Sequence, residues 1–221
     1  MERWVKKGSA LLVGMCTVLI LGACSDDPSP QQQIYSSLEK VVAQEKGFLN
    51  QQEPLVNLEK EEKGIYDQII ALGMKEHDQI KGLSDDALEL IDKREKHLQK
   101  EKESIHASKK KFDAITKRID SLEDAKLKEQ AEQLKDVMEK RYASYDRLYA
   151  NYEQSITLDR DLYKMFQKDE VTLDELEKQI TSINETYDKI VKENKVFNDL
   201  TKKYNDDKEQ FYKKAGIESS K

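Results

Sequence analysis

The chain has few cysteines, which stabilise small exported domains as disulfides, and few of the glycines and prolines that form the turns of β-sheets. It contains two cysteines, one tryptophan, three prolines and eight glycines among 221 residues. Cys16 and Trp4 lie within the first 23 residues, a stretch with the pattern of a cleavable export signal. Cys24 would then be the only cysteine of the mature chain, so an intrachain disulfide is excluded and the fold depends on its core.

Arginine and net positive charge are also scarce. The whole chain carries −6 and residues 1–23 contribute +2, which leaves −8 for the rest. An acidic chain is not attracted to nucleic-acid phosphates, and we therefore predict no nucleic-acid partner. The densest basic cluster, Lys109–Lys111, lies in acidic surroundings and is interpreted as a solvated helix face.

The N-terminus has the order of a lipoprotein signal peptide over residues 1–23. Basic residues precede an uncharged run from Gly8 to Ala23, which is too short for a comfortable transmembrane helix. Leu21-Gly22-Ala23-Cys24 resembles the bacterial lipobox. That resemblance implies cleavage between Ala23 and Cys24 and attachment of a palmitate-class diacylglycerol anchor to Cys24. The alternative is an ordinary signal peptide followed by a coincidental cysteine.

The rest of the chain is predicted to be a short tether and one helical domain. Residues 24–33 contain the lipidated cysteine, Pro28, Pro30 and polar side chains, and we predict that they are flexible. Residues 34–217 show apolar positions at helical spacing and no strand-like alternation, which predicts a single all-α domain. The lipobox predicts that the protein is lipid-anchored at the cell membrane, with its folded body on the extracytoplasmic side.

About four long helices are expected within this domain. The first is predicted over 34–72, and the second from 84 to a reversal at 121–126. The third is predicted over 125–167, and the fourth from a Thr172 cap to Gly216. Residues 74–83 are predicted to be a loop or a short helical turn. Lengths of roughly 55 to 65 Å and short connections favour an elongated antiparallel up-down bundle with coiled-coil-like packing. A single long coiled coil that dimerises is the alternative, and the oligomeric state stays open.

Pro54 divides the apolar pattern of the first helix. A proline inside a helix costs about 3 kcal/mol, so it either kinks one helix or separates two. Gly47 weakens the preceding turn and favours the separation.

The sequence offers no arrangement of residues that enzymes need. It contains no nucleophile elbow, phosphate-binding loop or zinc motif. A di-iron bundle needs two Glu-x-x-His units, and only Glu103 with His106 supplies one. We therefore predict no enzymatic activity, no cofactor and no metal.

Four tyrosines share one side of the third helix: Tyr142, Tyr145, Tyr149 and Tyr152. One interpretation is an aromatic surface that stacks on wall glycan. The favoured interpretation is a helix seam, because tyrosine commonly buries its ring and keeps its hydroxyl near water.

Several short stretches, in order along the chain, match those of one family. After the lipobox they are Ile34-Tyr35, Gln51–Leu55, Leu72–Lys75, Leu83–Leu88, Glu101–Ile105, Arg141-Tyr142, Leu148–Tyr152, Phe211-Tyr212 and Ala215-Gly216. The whole chain thereby resembles the YkyA-type family of Gram-positive bacteria, described as proposed cell-wall-binding lipoproteins. The resemblance implies a helical, membrane-anchored body that faces the wall.

Three classes of function follow. The first is a structural or cell-wall-binding lipoprotein of the envelope, and the second is an adaptor or chaperone-like regulator of an envelope enzyme. The partners are the membrane, through the lipid, together with wall polymer or an envelope protein. The third class, a solute receptor of a transporter, needs strands and a cleft, which the pattern does not predict.

Overall fold

The described part of the chain is almost entirely α-helical. The computed structural model describes residues 28–73 and 76–217, and these ranges contain no strand. Its five helices are α1 (Pro30–Gln44), α2 (Lys46–Leu72), α3 (His77–Ile119), α4 (Ala125–Phe166) and α5 (Leu173–Lys214). The predicted all-α bundle of about four long helices is confirmed, with the first predicted helix present as α1 and α2.

Local sequence explains where the last two helices begin and where α5 ends. The Asp124 carboxylate accepts hydrogen bonds from two backbone N–H groups in the first turn of α4, at 2.8 and 2.9 Å. Thr172 and Glu175 form the predicted capping box at the start of α5, with backbone bonds of 2.9 and 3.3 Å. Gly216 has φ +68 and ends α5, because glycine adopts this left-handed conformation without a side-chain clash.

Part of the predicted tether is helical. Ser29 caps α1 and forms a capping box with Gln32, and Pro30 occupies the first helical position. The prediction that flexibility extends to Gln33 is therefore wrong for residues 30–33. Proline in the first turn favours a helix, whereas the tether prediction interprets Pro28 and Pro30 as signs of an irregular chain.

The break between α1 and α2 lies at Glu45 instead of Pro54. The Glu45 N–H donates to the carbonyls of both Val41 and Val42, at 3.1 and 3.2 Å, which closes the last turn of α1. Pro54 lies within α2, so the prediction that it separates two helices is wrong. Buried Phe48 before the proline and Ile69 after it anchor α2 on both sides, and this packing overrides the local preference.

The second long helix begins earlier than predicted. The sequence places its cap at Ser84, but α3 starts at His77 and passes through Gly82. Ser84 is fully buried, and its hydroxyl donates back to the carbonyl of Ile80 at 2.8 Å. A serine that bonds one turn back inside a helix resembles a capping serine in sequence, which explains the error.

The packing of the helices divides the chain into two compact units. Within the described ranges, unit A comprises 47–104 and 145–195, and unit B comprises 28–46, 105–144 and 196–217. Unit A therefore contains nearly all of α2 with segments of α3, α4 and α5, whereas unit B contains α1 with the other segments of those three helices. The assignment of 34–217 to a single domain stays a prediction.

Within unit A, α2 and α3 run antiparallel. Gln51 of α2 contacts His97 of α3, whereas Glu62 further along α2 contacts the earlier residue Arg94. The apolar seam of each unit follows a seven-residue spacing of apolar side chains, as coiled-coil-like packing predicts. On α5 these are Leu176, Ile183 and Ile190 in unit A and Phe197, Tyr204 and Phe211 in unit B, all buried.

Candidate functional site

The predicted lipidation site lies outside the described residues. Ala23 and Cys24, at which the lipobox predicts cleavage and acylation, precede residue 28, where the description begins. In the described ranges no helix is long and apolar enough to cross a membrane. Lipid attachment at Cys24 therefore stays a prediction from the sequence.

The four predicted tyrosines are packed in the interior. Tyr142, Tyr145 and Tyr149 are 1%, 0% and 7% exposed, and Tyr152 is partly buried. Tyr142 belongs to unit B and the other three belong to unit A. These rings therefore do not form an exposed surface for glycan, and they occupy the seam that the second interpretation describes.

The most unusual feature of unit A is a buried charged cluster around Arg94. One guanidinium nitrogen of Arg94 lies 2.5 Å from Glu62 Oε2 and 3.0 Å from Asp159 Oδ2. The other donates to the Tyr187 hydroxyl at 3.3 Å and lies 3.7 Å from Glu59 Oε1. Tyr187 in turn donates to Asp159 at 2.7 Å. This Arg94 cluster connects all four helices of unit A, since its members come from α2, α3, α4 and α5.

The Arg94 cluster contains more carboxyl groups than its single cation can neutralise. The side chains of Arg94, Glu62 and Asp159 are only 2%, 9% and 6% exposed. Burial raises the pKa of Glu62 to about 7, although the positive charge of Arg94 opposes this rise. The pKa of Asp159 is raised for the same reason and is likewise opposed by Arg94. Near neutral pH the cluster therefore retains protons that solvated carboxyl groups would have lost.

A fourth carboxyl group, that of Glu101, lies in the interior of unit A between neutral polar side chains. Gln52 donates to Glu101 Oε2 at 2.8 Å, and the Tyr145 hydroxyl faces the same carboxyl. Burial raises the pKa of Glu101 to about 8, and these two polar neighbours only partly counter that effect. Glu101 is thus protonated in much of the molecular population at neutral pH.

Unit B has a second polar cluster, centred on Arg141, with balanced charge. Two guanidinium nitrogens donate to the two carboxylate oxygens of Glu45 at 2.8 and 2.9 Å, and the third donates to Thr201 at 2.8 Å. The Ser108 hydroxyl also donates to Glu45, at 2.8 Å, and the guanidinium lies over the Phe197 ring at 4.6 Å. This Arg141 cluster pairs one cation with one carboxylate in a forked geometry, which is the arrangement that arginine favours.

The geometry of both clusters supports a structural role. Their polar groups are directed at one another across the helix seams, and in the described ranges no group of acidic, histidine or cysteine residues is arranged to hold a metal. Buried ion pairs gain little net stability, but they penalise any shift of the helices that would separate the charges. The clusters can therefore fix the register of the helices in each unit.

Neither cluster is predicted from the sequence, although members of both units' polar cores lie at seven-residue intervals along α3. Counting back by sevens from the apolar residue Ile115 gives Ser108, Glu101 and Arg94, all of which are buried. The apolar positions Ile91, Leu98 and Ile105 are found by their spacing, but their partner positions are read as Glu95, Lys102 and Lys109, one position away from the buried residues. Charged residues at core positions of a heptad would have been the signal.

The comparisons with known proteins place this chain in one family. Residues 29–214 match the YkyA family, whose description is "Putative cell-wall binding lipoprotein". The chain belongs to the YkyA family. A relative from Bacillus subtilis (strain 168), named "Uncharacterized lipoprotein YkyA", is 34% identical over 223 residues and is aligned over 100% of both chains. Membership in the YkyA family confirms the resemblance seen in the sequence and assigns the chain to lipoproteins.

A solved structure shares the fold. The crystal structure of a conserved protein of unknown function from Staphylococcus aureus superimposes with a TM-score of 0.73. The superposition covers 85% of this YkyA-family chain and 97% of the other, at 16% sequence identity. At that identity the likeness concerns the helical fold alone.

Proposed function

We propose that this protein is a non-enzymatic lipoprotein of the bacterial envelope, anchored in the membrane through Cys24, whose helical body binds the cell wall. The observation that carries the proposal is the lipobox Leu21–Cys24 placed directly before a helical bundle of the YkyA family. A diacylated cysteine provides two acyl chains, which is enough for stable anchoring. The acidic body, at −8, adds no attraction of its own to anionic lipid.

The burial of aromatic side chains limits how the body could bind a wall polymer. Tyr142, Tyr145 and Tyr149 are inside, so sugar rings cannot stack on them. The exposed groups are mainly charged side chains, such as Lys109 and Lys110 on α3. Recognition of wall polymer would therefore use exposed polar and charged side chains on the outer helix faces.

Anchoring is tested by metabolic labelling with a fatty acid. Wild-type protein should incorporate the label and sediment with membranes, whereas Cys24→Ala should lose the label and leave the membrane pool. Cys16→Ala is the matched control, because Cys16 lies within the predicted signal and is removed with it. Equal labelling of Cys24→Ala and wild type would disprove the anchor.

Wall binding is tested separately by co-sedimentation of full-length protein, held in nonionic detergent, with purified wall from which proteins have been removed. Direct binding should deplete the protein from the supernatant. Binding that requires an added envelope-protein fraction would instead support the adaptor alternative.

A photo-crosslinking residue identifies the partner in living cells. Suitable positions are Lys110 of α3, which is exposed, and Val191 of α5, which is 53% exposed. Position 105 is the negative control, since Ile105 is 1% exposed and should yield no intermolecular product. A protein adduct at an exposed position would favour the adaptor, and wall-linked product would favour the binding lipoprotein.

A further inference from the structure

The two units differ in how they balance buried charge. The Arg94 cluster of unit A sets three carboxyl groups, Glu59, Glu62 and Asp159, against one guanidinium. Full ionisation would leave two uncompensated negative charges, and Glu101 would add a third in the same unit. The Arg141 cluster of unit B pairs one carboxylate with one guanidinium. Only unit A therefore gains buried net charge when its clustered carboxyl groups ionise.

No other cation described around the Arg94 cluster offsets this excess. The titratable side chains in and around the cluster come from all four helices of unit A. Apart from Arg94 itself, they are all acids or phenols. They are Glu59 and Glu62 on α2, Arg94 and Glu101 on α3, Tyr152, Asp159 and Tyr163 on α4, and Tyr187 on α5. Burial raises the pKa of each of these phenols, so the phenols stay neutral and contribute no charge at physiological pH.

We propose that unit A is a pH-responsive body, in which ionisation of the excess carboxyl groups around Arg94 and at Glu101 loosens the packing of α2 against the other helices. Like charges a few ångströms apart in a poorly hydrated interior repel strongly, and water entry is the available relief. Opening at α2 would hydrate Glu59 and Glu62 together. Unit B, which has a balanced pair, supplies the internal reference.

The direction of the response follows from proton linkage. Burial raises the pKa of the Glu62 carboxyl from 4.5 to about 7, and it raises the pKa of the Glu101 carboxyl from 4.5 to about 8. Between these limits the folded chain holds protons that the opened chain releases, so closure weakens as the pH rises. The closed state of unit A is thus most stable in mildly acid solution, and the loss ends only when the pH is well above the pKa of Glu101, which burial raises to about 8.

Amide hydrogen exchange can separate the units, because α1 lies in unit B and nearly all of α2 lies in unit A. The full-length chain in nonionic detergent is exchanged at pH 5, 6, 7 and 8, and rates are corrected for the base-catalysed increase of intrinsic exchange. For each proton that the closed state retains and the opened state releases, the equilibrium constant for closing falls about tenfold per pH unit. Protection of α2 should fall at least tenfold per pH unit from pH 5 to 7, while that of α1 stays constant.

Two variants assign the response to its groups. Glu62→Gln imitates the protonated side chain and should make the pH dependence of α2 protection shallower. Glu132→Gln, at an exposed position of α4 in unit B, is the control and should leave the pH dependence of α2 protection unchanged. Constant α2 protection in the wild type, or an equal fall in α1 and α2, would overturn the proposal, as would an unchanged slope in Glu62→Gln.

A direct measurement covers the case in which Glu62→Gln does not fold. The infrared carbonyl band of protonated carboxylic acids should appear in the pH 7 minus pH 9 difference spectrum of the wild-type protein, in which the ester bands of the lipid cancel because they do not change with pH. Solvated carboxylates do not contribute to this band at pH 7, because their pKa values lie near 4. Absence of the band from this difference spectrum would overturn the proposal irrespective of any variant.

Discussion

Replacing Glu45 by leucine should destabilise unit B strongly. The substitution leaves the Arg141 guanidinium without the carboxylate that accepts two of its hydrogen bonds, at 2.8 and 2.9 Å. The Arg141 side chain is only 3% exposed, so water cannot replace the lost partner without opening the seam. The remaining contacts with Thr201 and Phe197 are neutral.

The magnitude follows from the burial of the two partners. Removing one member of a buried ion pair costs about 3–5 kcal/mol. In a chain of this size each kcal/mol lowers the melting temperature by about 2–4 °C, so Glu45→Leu should melt about 10 °C lower. Arg141→Met should cost less, because the Glu45 side chain is 16% exposed and can be partly hydrated. The double variant should recover most of the loss, since no unpaired charge remains.

Helical circular dichroism during thermal or urea unfolding measures these effects on the full-length chain in detergent. Glu132→Leu, at an exposed position of α4 in unit B, is the matched control and should change the free energy of unfolding by at most about 0.5 kcal/mol. A Glu45→Leu protein that melts within about 2 °C of wild type would refute the proposed cost of the unpaired guanidinium. Additive losses in the double variant would also refute it.

Two further pairs of substitutions test the packing by the same melts. Phe197 is 2% exposed, so Phe197→Ala should cost about 3–5 kcal/mol, whereas Val196→Ala, at a position 39% exposed, should change stability by about 0.5 kcal/mol or less. A methyl group at Gly47 would lie 2.8 Å from Ser104 Oγ, which accepts the Phe48 N–H, so Gly47→Ala should destabilise unit A. A methyl group at Gly64 meets no atom within 4 Å, so Gly64→Ala should stabilise α2 by up to about 1 kcal/mol. A Gly47→Ala protein that is more stable than Gly64→Ala would contradict the observed packing.

Helix existence and most helix ends could be predicted from the sequence because both depend on local chemistry. The Thr172 capping box, the reversal after Ile119 and the glycine at 216 all appear where the sequence places them. Each is determined by side chains within a few residues of the backbone groups that they satisfy. Such features need no knowledge of what the helix packs against.

The errors occur where long-range packing outweighs a local preference. Pro54 and Gly82 both weaken a helix in isolation, yet each lies inside one. The cost of each is modest compared with the apolar surface that a long helix buries, so the helix continues through them. The α1–α2 break at Glu45 has no strong local signal, but that carboxylate is where Arg141 binds.

The buried clusters show that a seven-residue repeat locates the core but does not show which charged residues lie inside it. A search for apolar residues every seven positions identifies the seam through Ile91, Leu98 and Ile105, and it treats charged residues as solvent-facing. Arg94 and Glu101 violate that rule because their partners come from three other helices, and no local pattern in α3 indicates those partners. Charge balance in the interior is therefore a property of the assembled unit. It can be inferred only by placing α2, α4 and α5 beside α3, and the excess of acid over base in unit A becomes apparent at that stage alone.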